Sequence, residues 1–314
     1  MYKTLYRLAI FLLLSAISSF AAAERGILIH EVALRVTPDL NSEKLALAPA
    51  GREVAIMERS HDWVKIFAVV GEVSEEGQAK EITGWIQNFG IVMASTPNGD
   101  RILFGAAADA EDEASSPRGR RGAARDAMRL YARTNEYFPN SPLAAEALYR
   151  AGDIRWQIEY NDIRTLPSAK EQDPDVRPKI DEETMKQVIK KYPHTKWADL
   201  AAYHLLDNKV CGDWQAQSKC PERETELYEK YVTEHPQSPK AAEALYNAAR
   251  RQAALIEIYK TEGQANRSGA AATRAKQIAA RLVTQYSDSE WASRALALEF
   301  KIEQNIPTYG SDKP

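Results

Sequence analysis

Cysteine is nearly absent from this chain, which carries only Cys211 and Cys220 in 314 residues. Neither lies near the N-terminus, which argues against an acylated lipoprotein, and His30, His61, His194 and His235 are too scattered to give the close ligand spacing of a zinc site. Basic charge is not in excess either. Lys and Arg number 41 against 44 Asp and Glu, a formal charge of −3 that gives no support for a nucleic-acid surface. Long apolar runs are missing as well. The longest candidate, from Leu8 through Leu14, falls well short of the roughly 20 residues that span a bilayer.

No set of acids, bases and nucleophiles converges on a reaction, and no cofactor is implied. The rival reading is a cell-wall enzyme that works through a single glutamate on a helix. Glu146, Glu159 and Glu243 are available for it, but each reads more simply as an exposed helix residue, and none sits in a lysozyme-like signature.

What is present begins with a leader. Lys3 and Arg7 precede the apolar run, and Ala21-Ala22-Ala23 offers a small-residue cleavage site, so residues 1–23 read as a secretory signal peptide. The alternative is an uncleaved anchor, for which the apolar core is short. The expected location is periplasmic or otherwise exported, with no transmembrane anchor in the mature chain.

The second half repeats itself. Phe138-Pro139-Asn140-Ser141 leads to Ala147-Leu148-Tyr149, Tyr192-Pro193-His194-Thr195 to Ala201-Ala202-Tyr203, His235-Pro236-Gln237-Ser238 to Ala244-Leu245-Tyr246, and Tyr286-Ser287-Asp288-Ser289 to Ala295-Leu296-Ala297. A period of about 40 to 50 residues marks stacked helical hairpins. Each copy predicts a helix ending at the aromatic residue, a turn, and a hydroxyl N-cap at Ser141, Thr195, Ser238 or Ser289. Alanines at i, i+3 (Ala144 and Ala147, Ala198 and Ala201, Ala241 and Ala244, Ala292 and Ala295) then make one face of the second helix flat. The preceding helices supply bulk at Leu130 and Tyr131, at Met185, Val188 and Ile189, at Leu227, Tyr228, Tyr231 and Val232, and at Ile278, Leu282 and Val283.

This aromatic-Pro-x-Ser/Thr turn followed by Ala-x-x-Ala-Leu-Tyr resembles the tetratricopeptide-like repeats of bacterial envelope proteins, in particular the outer-membrane assembly lipoproteins and the periplasmic coordinator of the Tol-Pal system. The resemblance covers residues 122–304. It implies a solenoid that binds an envelope protein or peptide in a groove lined by the first helix of each hairpin, for which Arg129, Arg133, Tyr228 and Tyr231 are the candidate residues. The array is irregular. A polar insertion from Asn161 to Asp181, bearing Pro167, Pro174 and Pro178, separates the first two units, and a cysteine-bearing loop precedes the third.

That loop runs from Val210 to Pro221. In an oxidising compartment Cys211 and Cys220 are most simply a structural disulfide. The competing reading makes Cys211 a thiol nucleophile with His204 as its base, but the loop lacks a third, orienting group.

Between leader and repeats the sequence is of another kind. Ile27-Leu28-Ile29, Ala33-Leu34-Arg35-Val36, Glu53-Val54-Ala55-Ile56-Met57, Trp63-Val64-Lys65-Ile66 and Gly84-Trp85-Ile86 are short β-branched runs separated by turn signals. Their order, with Pro49-Ala50-Gly51 before the third and the closing Gly-Trp-Ile, resembles the bacterial SH3-like domain, a small all-β barrel placed at residues 24–95. That resemblance implies binding of cell-wall peptide or glycan, with Trp63 and Trp85 as candidate ligand residues. Taken singly, each tryptophan reads more simply as core, although an indole can pack on one side and stack on a ligand with the other. The segment from Phe67 to Thr83 reads as an extended hairpin or mobile loop. Residues 96–121 are acidic and small, then basic, and read as a flexible charged linker, or as a basic spot for an anionic polymer. Residues 305–314 are a tail. The whole is expected to be an exported, non-enzymatic scaffold, or an accessory subunit of an outer-membrane assembly complex.

Overall fold

The computed structural model describes residues 24–71 and 79–310. The leader therefore lies outside the described residues, as does the tip of the expected hairpin, 72–78. The chain divides into two compact units, residues 1–99 and 100–314.

The first unit is an antiparallel sheet of seven strands: β1 Glu24–Leu28, β2 Val32–Arg35, β3 Lys44–Ala48, β4 Glu53–Ser60, β5 Trp63–Val70, β6 Lys80–Gln87 and β7 Ile91–Val92. Alternation makes it. In β5, Val64, Ile66, Ala68 and Val70 are buried while the residues between them are not, because side chains on a strand point to opposite faces in turn. In register, Val64 faces Ile86 and Ile66 faces Gly84, and with Leu28, Leu34, Val54 and Ile56 they form one core. Gly84 suits this close approach: a Cβ would lie 3.1 Å from both the Arg35 carbonyl and the Leu34 side chain of the neighbouring β2. The strand order is β3-β2-β6-β5-β4-β1-β7, so among the described residues the sheet is open and its two edge strands do not pair. The long hairpin is real up to the pair Val70 and Lys80.

The second unit is helical: α1 Gly99–Ser115, α2 Ala123–Tyr137, α3 Ala144–Ile163, a 3-10 turn Pro167–Lys170, α4 Glu183–Lys191, α5 Lys196–His204, α6 Lys219–Glu234, α7 Ala241–Thr261, α8 Ala265–Gln285 and α9 Glu290–Glu303. The first of these corrects the expected flexible linker over 96–121. Leu103, Ala107 and Ala110 are buried at i, i+4, i+7. Glu111 accepts the Tyr131 hydroxyl at 2.7 Å and pairs with Arg150 at 2.9 Å. The composition misled because alanine, the best helix former, reads as a spacer when it is mixed with Asp and Glu.

Helices α2 and α3, α4 and α5, α6 and α7, and α8 and α9 pack as consecutive pairs. The four turns share one backbone conformation, with φ near −130° at Phe138, Tyr192, His235 and Tyr286. The eight alanines of the flat faces are all buried, so a paired helix lies close against them. The expected caps divide by sequence. Thr195 is a hydroxyl N-cap that accepts the Ala198 amide, whereas Ser289 holds the N-cap position without a side-chain cap bond and donates its hydroxyl to the Tyr286 carbonyl. Ser141 and Ser238, each followed by proline, instead accept from the amide two residues on and hold a preliminary turn.

The two irregular segments fasten to each other. Gly212 N donates to the Glu171 carbonyl at 3.1 Å and Gln172 Nε2 to the Trp214 carbonyl at 3.1 Å, joining the insertion to the cysteine loop. Cys211 and Cys220 are disulfide-bonded with Cα atoms 6.1 Å apart. The tail follows the same seam, where Thr308 Oγ1 donates to the Ala253 carbonyl and the Tyr309 ring lies 5.7 Å from Trp214. No helix among the described residues is long and apolar enough to cross a membrane.

Candidate docking groove

A concavity of about 890 Å³ in the helical unit opens between α2 and α4 over α3. Its floor is apolar, made by Met128, Ala132, Leu148, Ala151 and Ile158. Gly152 lets α4 approach α3 here, since a Cβ would stand 3.0 Å from the Thr184 methyl. The closed end is tied by Asn135, whose buried amide donates to the Ala144 carbonyl at 2.9 Å and to the Tyr192 hydroxyl. The rim is charged: Arg125, Arg129, Arg155 and Lys191 face Glu136 and Glu159. Arg155 pairs with Glu159 at 2.8 Å, and Arg129 pairs with the buried Asp126, which also holds Arg120.

The expected groove residues are divided by this geometry. Arg129 lines the groove. Arg133 lies one turn on, paired with Glu136, and is not among the lining residues. Tyr228 and Tyr231 are corrections, since both are buried. Arg251 stacks over Tyr228 with its guanidinium carbon 4.5 Å from the ring centre, and Tyr231 donates to the Asp199 carbonyl at 2.8 Å. Burial pushes both phenols upward, which keeps them neutral donors. Periodicity shows that a stripe is apolar without saying which neighbour covers it. Met128, Leu148, Ile158, Arg155 and Lys191 were not anticipated. The legible signal was the basic spacing of four along Arg125, Arg129 and Arg133.

In the sheet unit, Trp63 and Trp85 occupy the face opposite the core. Trp63 is paired with Gln87 and Trp85 with Lys65, and neither belongs to the core cluster. Trp63 lines a cleft of about 210 Å³ with Arg35, Leu40 and Phe89, beside a stacked pair of His30 and Phe89 rings 5.2 Å apart. Trp85 lies outside that cleft's lining, with Lys65 Nζ 5.9 Å from its ring.

The competing chemistry finds no constellation in these residues. Cys211 has its sulfur in the disulfide, and His204 Nε2 is engaged by Asp153 at 2.9 Å and Tyr149 at 3.2 Å. Glu146, Glu159 and Glu243 are each ion-paired along their own helices, with Arg150, Arg155 and Lys240. Among the described residues no group of His, Cys, Asp and Glu is arranged to hold a metal.

Compared with known proteins, the chain matches no protein-family model and no curated protein.

Proposed function

We propose that this chain is an exported adaptor in which a tetratricopeptide-like helical solenoid docks a protein partner and an SH3-like unit locates the molecule at the cell wall. The observation that carries the reading is the groove between α2 and α4. An apolar floor of this extent beneath a charged rim is the chemistry of peptide recognition, in which buried apolar anchors give affinity and rim charges give register. The recurring turn and flat alanine faces support the solenoid. The exposed face bearing Trp63 and Phe89 supports the wall-binding unit, because aromatic rings stack on sugar or peptide. The leader-like N-terminus and the disulfide support export. An envelope assembly role would differ only in the partner.

The test is fluorescence anisotropy of the full chain against a panel of labelled amphipathic helical peptides, neutral, acidic and basic. Binding of at least one, abolished by filling the floor with Ala132→Trp, is the expected result. If none binds, or if Ala132→Trp changes nothing, the docking reading fails. The wall-binding part is read separately by sedimentation on purified peptidoglycan sacculi, where Trp63→Ala with Phe89→Ala should release the chain.

A further inference from the structure

Counted back from the shared turn residue, α2 and α6 are equivalent helices, and so are α3 and α7, and α4 and α8. The groove marks where the equivalence fails. Helix α8 has 21 residues and α4 has 9, and both end at the same turn position, so α4 lacks the first twelve residues of its counterpart. The chain instead reaches α4 from the insertion, with Ile180 N bonded to Asn208 Oδ1 at 3.0 Å.

In α8 those extra residues have a definite job. Ala271 covers Leu255 and Ile256 of α7 in one buried cluster, and Ser268 Oγ donates to the Ile256 carbonyl at 2.9 Å. Arg267 and Arg274 reach across to Glu222 and Glu229 of α6, each at 2.7 Å. The first-half equivalents of Leu255 and Ile256 are Ile158 and Glu159, and both line the groove. The equivalents of Glu222, Glu226 and Glu229 are Arg125, Arg129 and Ala132, so two acidic positions of that face become basic and the third becomes neutral.

We infer that the groove takes an acidic amphipathic helix from a partner protein, seated as the first three turns of α8 sit over α7 beside α6. The inference rests on the docking reading and names its partner. Four considerations choose the occupant. The missing stretch of α8 is about 18 Å long at 1.5 Å per residue, three turns of helix. A helix satisfies its own backbone, whereas an extended segment would bring unpaired amides onto an apolar floor, and the one buried side-chain amide in the lining, Asn135, is already engaged. Small or apolar residues at i, i+3, i+4 would meet Ile158, Leu148 and Met128. Glutamates on the flanks would meet Arg125, Arg129 and Lys191, as arginines meet glutamates in the second half.

The experiment uses the full chain and three labelled 15-residue helical peptides that share a Leu/Ala stripe and differ only in flanks of Glu, Gln or Lys. The Glu peptide should bind about tenfold tighter than the Gln peptide and weaken with added salt. Reversing the rim with Arg125→Glu and Lys191→Glu, both exposed, should move the preference to the Lys peptide. Circular dichroism of the variant confirms that it is folded. Equal binding of all three peptides, or a preference untouched by the reversal, overturns the acidic partner while leaving the groove as a docking site. Binding of none removes both.

Discussion

The helical unit builds the same two-hairpin block twice, and the copies finish differently. In the second, α6, α7 and α8 close on one another through an alanine-rich core and cross-helix ion pairs. In the first, α4 is short and the corresponding space is a groove. A repeat specifies how helices pair, while the length of the third helix decides whether the block ends as a core or as a surface.

The blocks differ inside as well. Glu224 and Arg251 form a buried ion pair at 2.7 Å in the second block, and their first-block equivalents are Ala127 and Ile154, both buried and apolar. Glu224 also accepts from Cys211 N and Trp214 Nε1, so its charge is fully used. Arg251→Ile strands that carboxylate and should cost about 3–5 kcal/mol in urea unfolding. Adding Glu224→Ala, which recreates the first-block pair, should recover part of the loss. If the double variant is no more stable than the single one, the ion pair is not what sets the two blocks apart.

The seam between the blocks comes next in size. Cys211→Ser with Cys220→Ser should lose about 2–3 kcal/mol, the scale for a short disulfide loop, and the loosened loop should become protease-sensitive together with the insertion it holds.

The sequence showed unevenly how this would come out. The four turns, the flat alanine faces, the disulfide and the alternation of β5 were legible, because each is a local pattern whose period matches its structure. Tyr228 and Tyr231 were misplaced because they share spacing with groove residues, and the neighbours that cover them, Tyr203 and Asp199 of α5 and Arg251 of α7, lie 20 or more residues away in the chain. Helix α1 was hidden by acidic residues among its alanines, and its partners Tyr131 and Arg150 lie 20 and 39 residues beyond Glu111. The clasp of Glu171 on Gly212 joins two loops that look alike as turn-formers. In the sheet, alternation said which residues face inward but not that the strand order stays open among the described residues.

The remaining contrasts are smaller. Each cross-helix pair of α8 is half-exposed, so Arg267→Ala or Arg274→Ala should cost less than about 1 kcal/mol, and less again in high salt. Asp207 lies between the blocks, where burial raises its pKa against the lowering influence of His204 and the bond from Trp156 Nε1 at 3.2 Å. For a carboxyl raised on folding, the stabilising contribution is present below the unfolded pKa and is lost as pH rises through the folded one. Asp207→Asn should therefore raise the melting temperature at neutral pH, and the gain should vanish near pH 3. A gain that persists in acid would show that Asp207 is not the cause.

The most direct test of the groove is methyl NMR of the full chain labelled at methionine. Met128 lines the groove, Met185 is buried behind it, and Met57 and Met93 belong to the sheet unit. On titration with the Glu-flanked helical peptide, the account predicts that the Met128 signal shifts saturably while Met57 and Met93 stay in place. Shifts at Met57 or Met93 with Met128 unmoved would contradict it, and would transfer partner binding to the sheet.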